Sequence, residues 1–256
     1  MGAVLTGNQW EEDAFYDTGR IEIQGIVDRV DELVPDLPRK AALDFGCGIG
    51  RLAFNLASHF DSVTGVDISE KMLEIARSSR RMPANVELRL NTRIDLSLLP
   101  DNRFDLVLSY IVLQHMPRRY MKAYLSEFIR VAKPRGIIVF QIPTRTMAPF
   151  KSWTEKPLRS DSPSLGRLCY RSSIRFLRWI PRKLKHALMT SELWHYIRYL
   201  KLRISGQPHM EMNPWDKTSL EAFIEKHGAE VIQCLKDFEV HDGLESYRYF
   251  VIKPGD

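Results

Sequence analysis

The sequence is poor in cysteine. Cys47, Cys169 and Cys234 are the only three in 256 residues, far apart and without a CxxC pair. That excludes a disulfide framework and a closed zinc site, and it points to a reducing compartment. No His, Asp and Glu cluster has ligand spacing, so no metal is expected. No apolar run approaches the roughly 20 residues that cross a bilayer. Glu11, Glu12 and Asp13 come too soon for a secretory leader. The expected location is cytoplasmic. Internal repeats and low-complexity tracts are absent as well. What the chain does have is a hydrophobic fraction of 44%, enough for a core, and a formal charge of +5 that is unevenly spread. Between Arg145 and Met210 stand fourteen Lys or Arg against Glu155, Asp161 and Glu192, a net +11 that leaves the remainder at −6. An acidic body carries a basic insertion.

Apolar periodicity predicts a helix over 8–34, capped at Asn8, interrupted by Phe15-Tyr-Asp-Thr-Gly-Arg20 and ended by Pro35 and Pro38. Strands are expected at 41–45, 62–67, 86–90, 104–109 and 136–142. They alternate with helices at 50–59, 69–79 and 117–132, with Pro134-Arg-Gly136 marking a turn before the fifth strand. Such alternation means βαβ units. Prolines at 149, 157, 163 and 181 break the rhythm, and 166–204 read as two helices rich in Arg and aromatic residues. A last helix starts at Asp216 or Thr218 and stops at Gly228. Strands at 229–236 and 245–252, joined at Asp242-Gly243, close the chain as an antiparallel pair. The fold class is therefore α/β: a doubly wound, seven-stranded, mostly parallel sheet with an antiparallel C-terminal edge strand and a helical insertion or cap. The parts are an N-terminal helical segment (1–38), a ligand-binding core (39–144), the basic insertion (145–212), and a C-terminal helix with the closing strands (213–256).

The stretch that organises the chain is Ala41-Ala-Leu-Asp-Phe-Gly-Cys-Gly-Ile-Gly-Arg51. A buried strand breaks into a loop with three glycines and runs on toward a helix. Glycine lets backbone turn tightly and lets a ligand come close to main-chain atoms. That order forms a nucleotide-sized cradle at the carboxyl end of a sheet. The spacing is GxGxG rather than the GxGxxG of dinucleotide dehydrogenases. Asp44 precedes the glycines, and Asp67 ends the next strand in Thr64-Gly-Val-Asp-Ile-Ser69, where a carboxylate can accept two ribose hydroxyls.

Leu43-Asp-Phe-Gly-Cys-Gly-Ile-Gly50, Gly65-Val-Asp-Ile-Ser69, Phe104-Asp105 and Lys133-Pro-Arg-Gly136 resemble the successive motifs of class I S-adenosylmethionine-dependent methyltransferases. The likeness covers about residues 40–142 and the closing strands. It implies S-adenosyl-L-methionine as the cofactor. Gly46, Cys47, Gly48 and Gly50 would pass along its methionyl and ribose parts, and Asp44 would orient its ammonium group. Asp67 would bind the ribose hydroxyls, with Ile68 and Met72 against the adenine; Met72 reads equally as core. Ser109, Thr92 and Arg93 complete the cofactor contacts. One departure stands out. Where the family often has a Gly-Asp pair after the third strand, this chain has Leu90-Asn-Thr-Arg-Ile-Asp95, so Thr92 or a backbone carbonyl would replace the carboxylate. Phe15-Tyr-Asp-Thr-Gly-Arg20 resembles the lid of small-molecule members. Arg20 would hold the methionyl carboxylate through its planar fork, with Tyr16 closing over the methyl donor. A solvated helix position is the alternative for Arg20.

Ser109-Tyr-Ile-Val-Leu-Gln-His115 follows the fourth strand, where such enzymes place residues between cofactor and acceptor. His115, with Tyr16, is the catalytic candidate, since an imidazole titrates near neutrality. A packing role is the alternative, because in-line transfer from an activated donor rests largely on alignment. His209, Glu211 and His241 are rival bases. Tyr110, Arg145 and His209 are candidates for acceptor binding. Arg167, Arg171, Arg175, Arg178 and Arg182 form one helical stripe in the insertion. It reads as a solvated cap, or as a surface for an anionic acceptor, for a peripheral membrane contact through 166–204, or for RNA; the lack of a dedicated RNA-binding module counts against the last. The function expected is methyl transfer to oxygen of a small-molecule or glycan acceptor, anionic or lipid-linked. The alternatives are an N-methyltransferase, RNA-directed included, and a non-catalytic cofactor-binding regulatory subunit.

Overall fold

The computed structural model describes residues 12–146, 212–237 and 244–255. The chain divides into two compact units. One comprises Met1–Thr144, Met212–Phe238 and Ser246–Asp256. The other, Arg145–Glu211 with Glu239–Glu245, falls almost wholly outside the described residues. The helices expected at 166–204, the arginine stripe, His209, Glu211 and the Asp242-Gly243 joint all lie there.

The described elements run α1 (Glu12–Leu33), β1 (Ala41–Phe45), α2 (Ala53–Leu56), β2 (Ser62–Asp67), α3 (Glu70–Ser78), β3 (Val86–Leu90) and β4 (Phe104–Ser109), followed by a 3-10 turn at Leu113–His115. Then come α4 (Arg118–Val131), β5 (Ala132–Thr146), α5 (Lys217–Lys226), β6 (Glu230–Asp237) and β7 (Leu244–Ile252). Seven strands form one sheet in the order β3-β2-β1-β4-β5-β7-β6. The β1–β2, β1–β4, β2–β3 and β4–β5 pairs are parallel, and β6–β7 is antiparallel. The expected C-terminal pair thus sits at the edge, with β6 outermost and β7 inserted beside β5. The winding reverses between β1 and β4, and a crevice opens there at the carboxyl ends of the strands.

Alternate residues of each central strand feed two apolar layers, as a sheet covered on both faces requires. On one face Ala42, Leu106, Leu108 and Val139 meet Ile23, Ile26 and Val30 of α1, with Phe54 and Leu73. On the other, Leu43, Val107, Phe140 and Tyr249 meet Leu125 and Phe128 of α4 and Leu220 and Ile224 of α5. The later motifs serve the opposite end from the crevice. Asp105 is 1% exposed. One of its oxygens accepts the Lys40 and Ala41 backbone N–H groups at 3.1 and 2.8 Å, and the other pairs with Lys133 Nζ at 2.7 Å. Phe104-Asp105 and Lys133-Pro-Arg-Gly136 are therefore one staple across the starts of β1, β4 and β5.

Three expectations change. α1 runs unbroken through Phe15–Arg20, because Gly19 lets the helix pass against backbone: a Cβ there would lie 2.3 Å from the Arg51 carbonyl oxygen. The helix expected at 50–59 shrinks to Ala53–Leu56, since Gly50 is left-handed at φ +89°. The Pro134-Arg-Gly136 turn is a bulge inside a longer β5, with Arg135 at φ +63° and the β4 register shifting alongside. Two helix starts hold, since the Ser69 hydroxyl accepts the Met72 N–H and Asp216 accepts the Ser219 N–H at 3.0 Å, while the expected cap at Asn8 lies outside the described residues.

Candidate functional site

The crevice floor is the turn after β1. Gly46, Gly48 and Gly50 all have positive φ, at +78°, +54° and +89°. The three glycines answer to different neighbours. A Cβ on Gly46 would strike Val112 at 2.4 Å, and one on Gly50 would strike the Phe54 ring at 2.5 Å. A Cβ on Gly48 would meet nothing within 4 Å, so this residue borders open crevice. The turn hangs from β2, with the Gly46 and Cys47 N–H groups donating to the Val66 carbonyl at 2.7 and 3.1 Å. Cys47 is buried over Gly65, where a Cβ would come 2.9 Å from its Sγ. Burial, followed by the nearby Asp44 and Asp67 charges, pushes its thiol well above the ordinary value. Its side chain packs, and only its backbone belongs to the loop.

Two carboxylates flank the turn. Asp67 accepts the Gly48 N–H on Oδ2 at 2.8 Å and the Ser69 N–H on Oδ1 at 2.9 Å. Each oxygen keeps a further lone pair. Asp44 is 1% exposed, and its Oδ2 is buried without a hydrogen-bond partner. Desolvation pushes its carboxyl up to about 7, against the opposing pull of the Arg51 guanidinium and the Ala53 N–H, with Asp67 adding a little to the rise. An unsatisfied buried carboxylate is costly unless a cation or donor completes it. Ser109, fully buried at the end of β4, likewise has an unpartnered Oγ.

Beside them the ends of β2 and β3 present apolar side chains to solvent: Ile68 at 71%, Met72 at 44%, Leu90 at 41% and Ile94 at 62% exposed. This settles the two readings of Met72 against the core. The loop after β3 is shaped by Asn91. Its amide donates to the Asp95 carbonyl at 2.9 Å, and its Oδ1 accepts the Arg93 N–H at 3.2 Å. Thr92 and Arg93 are exposed there, with the Arg93 carbonyl taken by the Tyr124 hydroxyl at 2.6 Å.

The first described turns of α1 close one side. The Tyr16 hydroxyl donates to the Ile49 carbonyl at 2.9 Å, and its ring stacks on Phe54 at 5.7 Å. Tyr16 therefore braces the glycine turn from α1. Arg20 lies on the outer side of the helix, 3.5 Å from Asp17, with both side chains about two thirds exposed. The cation whose field reaches Asp44 is Arg51. Sequence reasoning gave Arg51 and Gly19 no role of their own, and placed Asn91 with Thr92 only where the family's Gly-Asp pair would stand. A glycine inside an amphipathic helix was the available signal for Gly19.

The turn after β4 closes the other side. Val112 sits on Gly46, and Ile111 is left-handed at φ +60°, unusual for a β-branched residue. Gln114 is buried, and its Nε2 lies 3.2 Å from the half-buried His115 Nε2. The amide can donate to this nitrogen when the ring proton sits on Nδ1. Tyr110 is buried in an ion network with Arg248 and Asp237. Arg145 is described only as backbone near the end of β5. The structure thus brings Asp44, the glycine turn, Asp67, Ile68, Met72 and Ser109 to the β1, β2 and β4 ends, with Tyr16 bracing them. It leaves Arg20 on the surface.

These residues fit S-adenosylmethionine. A buried carboxylate with one oxygen unpartnered suits an ammonium group, Asp67 has lone pairs to spare, Gly48 leaves room, and four exposed apolar side chains stand near the β2 and β3 ends. Residues 42–136 match the model of a methyltransferase domain family. A demethylmenaquinone methyltransferase of Tropheryma whipplei is 38% identical over 111 residues, 42% of this chain and 45% of that protein. The chain thus spans about half the length of that relative. A ubiquinone biosynthesis O-methyltransferase of Nitrosomonas europaea is 29% identical over 195 residues, 75% of this chain and 77% of that protein. Among solved structures, magnesium protoporphyrin IX methyltransferase of Synechocystis PCC 6803 with bound SAH superposes with a TM-score of 0.57 at 17% identity, covering 96% of this chain and 89% of that one.

Proposed function

We propose that this chain, whose residues 42–136 match a methyltransferase domain family, is a class I S-adenosylmethionine-dependent methyltransferase that transfers a methyl group to an oxygen of a small-molecule acceptor. The observation that carries the reading is Asp44: a carboxylate buried at the switch point, with one oxygen unpartnered beside three left-handed glycines. Asp44 would take the donor's ammonium group. The remaining lone pairs of Asp67 would take the ribose hydroxyls, and Ile68, Met72, Leu90 and Ile94 would line the adenine. S-adenosylmethionine, when bound, supplies a methyl group already activated on a sulfonium.

The protein's part is then alignment and proton removal. Alignment is worth a large share of such a barrier. Tyr16 fixes the Ile49 carbonyl and so the position of the turn. Val112 presses the post-β4 turn onto Gly46. His115 Nε2, capped by the Gln114 amide, would accept the acceptor hydroxyl's proton once the acceptor takes the amide's place. A hydroxyl acceptor needs such a base. The ubiquinone biosynthesis O-methyltransferases among the relatives support oxygen. An anionic or lipid-linked acceptor draws its support from the arginine stripe at Arg167–Arg182, and a glycan stays within the same oxygen chemistry.

The test is transfer of a labelled methyl group from S-adenosylmethionine to a panel of catechols, quinols, sugars and their phosphorylated forms, with RNA included. Labelled product from a hydroxyl-bearing small molecule is expected, and His115→Ala should slow it. Label found only in RNA or only on amines would overturn the reading. So would donor binding without any transfer, which belongs to a regulatory subunit.

A further inference from the structure

A second cluster of buried ionic groups gathers around Tyr110 and includes none of the residues proposed to hold the donor. Arg248 on β7 sends Nη2 to Glu22 of α1 at 2.6 Å, to Asp237 of β6 at 3.2 Å, and to the Tyr110 hydroxyl beyond β4 at 3.2 Å. The same guanidinium lies over the Tyr110 ring at 4.9 Å. The side chains of Arg248, Glu22 and Asp237 are 18%, 15% and 7% exposed. Ion pairs this well buried add little net stability once desolvation is counted. What they do supply is a fixed geometry, because a guanidinium fork accepts few arrangements.

That geometry is handed to α1. Glu22 is six residues from Tyr16, about 9 Å along the helix. Between them Gly19 rests on the Arg51 backbone. The Tyr16 hydroxyl holds the Ile49 carbonyl, and the Tyr16 carbonyl accepts the Asn55 amide at 3.3 Å. At its far end α1 is tied to β6 by Arg29 and Gln233 at 2.5 Å. One helix thus connects the antiparallel edge of the sheet to the segment Ile49–Asn55.

We propose that Arg248 is a positioning residue for the methyl-donor site: through Glu22 it sets the seat of α1, and α1 holds Ile49, Gly50 and Arg51 where the donor needs them. The proposal rests on reading the crevice as a donor site. Asp237 supplies the control, since it pairs with Arg248 but does not touch α1 through that contact.

The experiment is calorimetric titration of S-adenosylhomocysteine against the wild type and against Arg248→Met, Glu22→Gln, their double variant and Asp237→Asn. Arg248→Met and Glu22→Gln should each weaken binding about five- to tenfold, and the double variant no more than the worse single, as one shared contact requires. Asp237→Asn should stay within twofold even where its melting temperature falls, and Arg248→Lys should recover part of the affinity. Wild-type affinity in Glu22→Gln, or an equal loss in Asp237→Asn, overturns the proposal. Should Arg248→Met not fold, Glu22→Gln decides alone. Should the wild type bind no S-adenosylhomocysteine, the donor-site reading fails, and amide hydrogen exchange still decides the tie. Faster exchange over residues 15–22 in Glu22→Gln, with β1 and β4 unchanged, supports it; unchanged exchange over 15–22 refutes it.

Discussion

Asp44 should make donor binding depend on pH across a range in which an ordinary carboxylate site is flat. A solvated aspartate is ionised throughout the range in which proteins are studied. Burial holds this one up to about 7. Only the ionised form can pair with an ammonium group. With a midpoint near 7, about 3% is ionised at pH 5.5 and about half at pH 7.0, so affinity for S-adenosylhomocysteine should rise about fifteenfold across that interval, roughly 1.6 kcal/mol. Near pH 6, binding should release close to one proton, visible in calorimetry as a heat that varies with the buffer's ionisation enthalpy. The stability of the ligand-free protein moves the other way. The folded carboxyl, at about 7, binds its proton more tightly than the unfolded one at 3.8, so this group's contribution falls as pH rises from about 4 to about 7 and is level above that. Asp44→Asn isolates this group: the variant should bind weakly with a flat profile and release no proton. A flat wild-type profile, or a variant that keeps the slope, would refute the reasoning.

The glycine turn and the staple give further tests. Gly48→Ala and Gly50→Ala both pay about 1–2 kcal/mol for a left-handed alanine, but only Gly50 also meets a ring, at 2.5 Å. Gly50→Ala should therefore melt lower than Gly48→Ala, while Gly48→Ala loses donor affinity, because its methyl enters the crevice. Gly19→Ala gains about 1 kcal/mol of helix propensity and loses more to a backbone overlap at 2.3 Å. Weaker donor binding with a lower melting temperature is expected, and an unchanged affinity would show that α1 does not brace the turn. Asp105→Ala strands two backbone donors and Lys133 and should cost about 3 kcal/mol or more in urea unfolding. Its donor affinity should stay within twofold, since the staple lies at the far end of the strands.

The sheet was legible because its signals are local. Short apolar runs between glycines, prolines and caps placed β1 to β4 at 41–45, 62–67, 86–90 and 104–109, which are the bounds observed. Asp44, the glycines and Asp67 were legible for the same reason, as a strand end and the loop after it. What escaped depends on contacts distant in sequence. Gly19 reads as a helix breaker until Arg51, thirty-two positions later, is seen beneath it. Arg20 looked like an anion-binding fork because its residue type suits the task, but helix phase turns it outward to Asp17. Asp105 and Lys133 looked like parts of a cofactor motif, and they pair at the other pole. Nothing in the one-dimensional pattern marks Arg248, Glu22 and Asp237 as partners, since each joins a different element.

The central claim is that the crevice at the ends of β1, β2 and β4 holds a methyl donor through Asp44 and Asp67. Calorimetric titration of S-adenosylhomocysteine at pH 7.5 against the wild type, Asp67→Asn and Gly48→Ala tests it directly. Saturable one-to-one binding by the wild type, weakened at least tenfold by Asp67→Asn and clearly by Gly48→Ala, is the predicted result. No binding by the wild type, or binding that both variants leave intact, would contradict it.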